Sequence, residues 1–249
     1  MRPPSLSLAL LATTLCVGPT LFLAAAEDPT STKPVKVFLL AGQSNMVGMA
    51  STEHLQLLAN ETCCNEYRSL WNGTAFAERD HVYMKYNDRQ GKLTVGTGFA
   101  APNKFGTELG FGWVVGDTLG NESVVLIKAA YGGRTLAVDF RPPASGEGTY
   151  SKVKPVHYGW EYRQMMADLY QGLDQLVDFY PDYDEAVGYE LAGFVWFQGW
   201  NDMLSWPYVK EYSYNVSCFD ACFDACFDAC SSEYDTDDMG TKGLREVER

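Results

Sequence analysis

VKVFLLAGQSNM, residues 35–46, decides the fold. Val35 to Ala41 is an apolar run of strand length that ends at Gly42, the pattern of a buried parallel strand feeding a turn. Ser44 follows just past the strand end. Further along, SVVLIKAA at 123–130 has the same character and runs into Tyr131-Gly132-Gly133-Arg134; LAGFVWF at 191–197 repeats it and ends at Gln198-Gly199. Between the last two, Tyr162, Met165, Met166, Leu169, Tyr170, Leu173, Leu176 and Val177 recur at helical spacing, which predicts a helix over 162–180 stopped by Pro181. Strands alternating with helices imply an α/β domain, a parallel sheet covered on both faces in three layers, with ligands at the carboxyl ends of the strands. All three glycine-bearing loops fall on that edge. Glu53 to Asp88 is read as a surface excursion.

A serine hydroxyl is a weak nucleophile until a base takes its proton, and it works best on a tight turn whose backbone N–H groups hold a developing oxyanion. Gly42-Gln43-Ser44-Asn45-Met46 fits such a turn, although Ser and Asn are also ordinary helix caps. A helix starting just after Ser44 would add free N–H groups beside it.

The chain opens with Arg2, an apolar run from Leu6 to Leu23, then Ala24-Ala25-Ala26 before Glu27-Asp28, the parts of a secretory signal peptide over residues 1–26. Asn-x-Ser/Thr acceptors at Asn60, Asn72, Asn121 and Asn215 agree with export to a secreted or extracellular location. The chain carries 19 basic and 32 acidic residues, a formal net charge of −13. That balance repels nucleic-acid phosphates and anionic lipid, so the expected partners include no nucleic acid and, after leader removal, no membrane; neutral carbohydrate or a small ester suits it. Export permits disulfides among the 7 cysteines, with no readable pairing.

Four blocks occur in order: GQSNM after the apolar strand, FGTELGFG at 105–112, KAAYGGR at 128–134 and VWFQGWND at 195–202. Together, over Val35 to Tyr212, they resemble the sialate O-acetylesterase-like carbohydrate esterases of the SGNH hydrolase superfamily. The resemblance implies a three-layer α/β/α, flavodoxin-like parallel sheet over 35–215 and an enzyme that removes acetyl groups from sugars, using serine, histidine and aspartate with no metal and no cofactor. It makes Ser44 the nucleophile and the Ser44 N–H one oxyanion donor. Gly106 supplies a second backbone donor, and Asn201 a side-chain amide, with Gln198 as the competing donor. Gln43, Asn45, Gly132, Gly133 and Arg134 line the pocket, with Trp200 standing where many relatives have glutamate. Trp196, Phe197 and Trp200 are either a sugar-stacking wall or core.

The family's base lies in a late Asp-x-x-His pair, and no histidine follows His157 in this chain. Of the remaining His54, His81 and His157, a replacement base is expected from His81 or His157 if turnover occurs at all; otherwise the site binds acetylated sugar without hydrolysing it, or the chain is an inactive truncated product. CFDACFDACFDAC, from Cys218, opens a stretch over 216–249 expected to be a low-complexity, disordered tail, leaving the sheet without its last strand and helix and with an exposed apolar edge.

Overall fold

The computed structural model describes residues 33–60, 67–95, 100, 103–120, 122–150 and 152–232. The leader, Asn121 and the acidic end of the chain lie outside them, as do Cys63 and Cys64. Strand β1 (Val35–Gly42) leads into a single helical turn, α1 (Ser44–Val47), then β2 (Ala50–Ser51) and α2 (Thr52–Asn60). Strands β3 (Val82–Tyr86), β4 (Arg89–Lys92) and β5 (Lys104–Phe105) precede helix α3 (Thr107–Leu119) and strand β6 (Val124–Ala130). Helices α4 (Trp160–Asp174) and α5 (Leu176–Phe179), strand β7 (Tyr189–Phe197), and helices α6 (Trp200–Met203) and α7 (Trp206–Ser232) complete the described elements.

The main sheet has the order β4-β3-β6-β1-β7; β1 pairs in parallel with both β6 and β7, β6 pairs in parallel with β3, and β4 closes antiparallel on β3. Strands β6, β1 and β7 thus reproduce the 2-1-3 centre of a flavodoxin-like sheet, whose crevice opens where the winding reverses, between β1 and β7. Alternation along β1 explains the layers. Val37, Leu39 and Ala41 face a core with Met165, Leu169, Leu173, Phe219 and Phe223, while Leu40 meets Met46, Met84 and Leu126 under Phe111 and Trp113 of α3.

Three expectations are corrected by this architecture. The excursion over 53–88 contains β3, an inner strand with every residue buried; Lys85 obscured it, and its ammonium donates to the Asn87 carbonyl at 3.1 Å while its stem is buried. The helix expected over 162–180 is two, because Gln175 leaves helical geometry between α4 and α5. The stretch from 216 is, through Ser232, the body of α7. Its phenylalanines recur every fourth residue, and Phe219 and Phe223 pack into the sheet core against Phe194 of β7, with Phe219 also against Trp196. The repeat therefore gives one helical face aromatic residues for two turns. Among the described residues β7 pairs only with β1, the open edge expected from the sequence.

Candidate active site

Gly42 ends β1 at φ 153°, pressed against the Phe197 carbonyl of β7 so that no side chain fits, and the Gln43 N–H donates to that carbonyl at 3.2 Å. The chain is thereby turned up at the carboxyl edge, and Ser44 stands exposed as the first residue of α1. One turn has little macrodipole; what it offers are its leading N–H groups, which have no partner within the helix. Gln43 itself is buried, with Oε1 unpartnered among the described residues. Asn45 is exposed, and its carbonyl accepts from Thr107 Oγ1 at 3.3 Å. Gly48, at φ 90°, lies with its Cα against the backbone of Gly106, where any Cβ would overlap. The first two sequence blocks are thus packed main chain on main chain.

Gly106 is held differently from what the resemblance implies. Its N–H donates to Glu108 Oε1 at 2.7 Å, so the proposed second oxyanion donor is engaged in this conformation. Glu108 Oε2 pairs with Lys128 Nζ at 2.8 Å, and the same ammonium donates to the Val47 carbonyl at 2.8 Å and lies over the Tyr86 ring. Burial pushes Lys128 below the ordinary lysine range while the Glu108 charge opposes that shift. One buried ion pair thus fixes the far end of the Ser44 turn, the Gly106 loop and β6 to one another. The sequence does hold a sign of it, a lysine inside SVVLIKAA and a glutamate inside FGTELGFG, each the single charge of an apolar window.

At the end of β7 the two competing amides separate. Gln198 Nε2 donates to the Arg134 carbonyl at 3.1 Å and to Asp202 Oδ2 at 2.5 Å, so it is committed to the scaffold. Asp202, fully buried, accepts from the N–H groups of Leu136 and Ala137 at 2.9 Å each and so ties the loop after β6 to α6. The Asn201 amide nitrogen faces Gly133 and has no hydrogen-bond partner among the described residues, which leaves Asn201 the available side-chain donor. Gly133 turns the chain at φ 75°, and Gly132 beside it is open to solvent. Arg134 is not a free cation: its Nε lies 2.8 Å from Glu161 Oε1 and its Nη1 3.6 Å from Asp139 Oδ1. Burial raises the Glu161 carboxyl above its ordinary range, against the pull of Arg134. Tyr131 donates its hydroxyl to Asp168, and burial raises that phenol as well. Trp196 belongs to the core, edge-on to Phe140 and packed on Phe219, whereas Phe197 and Trp200 are exposed.

No histidine ring is hydrogen-bonded to Ser44 among the described residues. His81 precedes β3, at the amino edge of the sheet, and its Nε2 meets the Gly116 carbonyl at 3.1 Å. That places it at the opposite end of parallel strands from Ser44, so it is excluded as the replacement base. His157, in a 3-10 turn between β6 and α4, and His54, on α2, are exposed and lie on connections that leave the carboxyl edge.

Asn215 does not suit a glycan: it lies within α7 with its side chain wholly buried and both amide atoms unpartnered among the described residues. Asn60 and Asn72 are exposed, and Asn72 Oδ1 accepts from the N–H groups of Thr74 and Ala75, leaving its nitrogen outward.

The sequence profile of the family described as carbohydrate esterase, sialic acid-specific acetylesterase matches residues 34–223. No curated protein sequence matches the chain. Among solved structures, one similar to it is a protein from Arabidopsis thaliana determined by X-ray diffraction at 1.6 Å, 18% identical, covering 76% of this chain and 67% of its own, with a TM-score of 0.47.

Proposed function

The chain belongs to the sialic acid-specific acetylesterase family of carbohydrate esterases, and we propose that Ser44 is the hydroxyl that takes the acetyl group from an O-acetylated sugar at the crevice between β1 and β7. The observation that carries this reading is the convergence of all four sequence blocks on one rim, with Ser44 exposed on the turn and Asn201 offering an unengaged amide beside Gly133. In the reaction a bond forms from Ser44 Oγ to the acetyl carbon as the bond to the sugar oxygen breaks. The hydroxyl proton ends on the departing sugar oxygen, and water then releases acetate and restores the serine. The Ser44 N–H and the Asn201 amide are the donors to the oxyanion, joined by the Gly106 N–H when Glu108 releases it.

Missing is the group that carries the proton. With no imidazole on Ser44, the rate rests on binding and oxyanion stabilisation, which in serine hydrolases stripped of a triad member leave roughly 10³- to 10⁴-fold over water. The same observation favours a second reading, a site that recognises acetylated sugar without turning it over. A secreted location rests on the leader and on the exposed acceptors Asn60 and Asn72.

The test is aryl acetate turnover by the purified chain beside its Ser44→Ala variant, with an acetyl adduct on Ser44 sought by mass spectrometry. Slow turnover that disappears in the variant, with the adduct present, is the expected result. Equal rates in two well-folded samples would remove Ser44 as the acyl acceptor and leave the recognition reading.

A further inference from the structure

Helix α6 is turned inside out. Its aspartate, Asp202, is buried, while Trp200, Met203 and the following Leu204, which share one face at i, i+3 and i+4, are 58%, 59% and 70% exposed. The inversion is imposed by the site, because the three hydrogen bonds that hold Asp202 inward to Leu136, Ala137 and Gln198 leave the opposite face outward. Trp206, opening α7, and Phe197, closing β7, are exposed apolar residues on either side of α6 in the chain, and the Lys210 ammonium lies 5.7 Å from the Trp206 ring. The backbone ties these residues to the site: the Phe197 carbonyl accepts from the Gln43 N–H, and Trp200 directly precedes Asn201.

We propose that this ridge is a stacking platform for a neutral glycan chain, so that the ligand of the Ser44 site is an acetylated oligosaccharide held over several sugar units. The proposal rests on the acetyl-sugar reading above and extends it. Three observations select this occupant. The exposed residues include two indoles and a phenyl ring, whose faces suit the C–H faces of pyranose rings, and two of these, Phe197 and Trp200, flank Gln198 and Gly199 next to Asn201 of the site. The neighbouring cation, Arg134, is already matched by Glu161 and Asp139, the chain is acidic overall at −13, and the one ammonium at the ridge, Lys210, lies over the Trp206 ring, so the charge there does not select a polyanion. The chain after Ser232, DTDDMGTKGLREVER in its last 15 residues, has too few apolar side chains to cover such a surface.

The experiment is calorimetric titration of the purified chain with partially O-acetylated cellohexaose, acetylated methyl glucoside, unmodified cellohexaose and O-acetylated sialic acid, repeated on Trp200→Ala, Trp206→Ala and Trp200→Tyr. Both indoles are exposed, so the variants should melt as the parent does. The expected result is that the acetylated hexamer binds at least tenfold more tightly than the acetylated monosaccharides, that Trp206→Ala loses about tenfold for the hexamer alone, that Trp200→Ala loses at least as much for it, and that Trp200→Tyr restores most of that loss. Monosaccharide and hexamer binding with equal affinity, unchanged in the alanine variants, would overturn the platform while leaving the acetyl site intact. Equal affinity for acetylated and unmodified hexamer, still lost in the alanine variants, would support the platform and sink the acetyl reading instead. A dimer by sedimentation that the alanine variants abolish, without any glycan binding, would overturn the proposal in favour of a second copy.

Discussion

Glu108 Oε2 and Lys128 Nζ lie 2.8 Å apart, with 3% and 0% of their side chains exposed, directly beneath the turn that carries Ser44. Because the pair is satisfied by further bonds to the Gly106 N–H and the Val47 carbonyl, it acts as a strut between three segments that are far apart in sequence. Removing one partner strands a buried charge, which typically costs about 3–5 kcal/mol. Glu108→Gln and Lys128→Met should each lose stability of that order in urea titrations, and the double change Glu108→Leu with Lys128→Met should lose less than the sum. A loss in either single variant below about 1 kcal/mol would show that water reaches the pair.

The strut also marks the limit of what the sequence reveals. Strands β1, β6 and β7 were legible because each is a near-continuous apolar run that leads into a glycine-bearing turn, and their parallel pairing then forces Ser44 and Asn201 onto one edge. The five-residue β3 was not, since a strand that short with a lysine in it has no distinguishing period. Nor could spacing show that the Asp202 carboxylate captures the Gln198 amide while that of Asn201 stays unengaged among the described residues. The α7 repeat looks compositional in isolation; only the aromatic surface of β7 gives its phenylalanines something to pack on.

Among the described residues Asp202 has no charged partner, yet it receives two backbone N–H groups and one amide in a buried setting. Charge-assisted bonds of this kind are worth about 1.5–3 kcal/mol each, and Asp202→Asn exchanges an acceptor for a donor facing Leu136 or Ala137. The expected outcome is a loss of about 2–4 kcal/mol. Faster amide exchange should be confined mainly to Leu136, Ala137 and their neighbours, as read by hydrogen exchange.

Phe219 and Phe223 test whether α7 belongs to the domain. Both are 4% exposed and both meet Phe194. Each truncation to alanine should cost about 3–5 kcal/mol, with the double variant departing from additivity because the two share a neighbour. A chain ending after Asn215 should lose cooperative melting altogether, since one face of β7 would be bared. Unchanged melting in either case would return this stretch to the status of a tail.

Asn215 makes a prediction of opposite sign. Among the described residues neither atom of this buried amide is bonded, which costs about 1–3 kcal/mol, and leucine has the same branched four-heavy-atom side-chain skeleton. Asn215→Leu should therefore raise the melting temperature by several degrees, at roughly 2–4 °C per kcal/mol for a chain of this size. Peptide mass spectrometry of protein made in a secretory host should find glycan at Asn72 and Asn60 and none at Asn215.

Glu161 gives the pH dependence its sign. Its carboxyl is raised above the ordinary 4.5 first by burial, and Arg134 pulls it part of the way back. The folded protein therefore holds this proton more tightly than the unfolded chain does. Between 4.5 and the raised folded value the folded state binds more protons, so this group makes stability fall as pH climbs through that window and adds no slope above it. Glu161→Gln has no proton to lose, so the stability of the parent relative to this variant should decline across the window in denaturant titrations at successive pH values. Arg134→Met removes the opposing cation and should widen the window upward and deepen the decline. A parent-minus-variant difference that stays level, or that grows with pH, would mean that Arg134 outweighs burial at Glu161, and the rim would then carry a settled ion pair in place of a strained one.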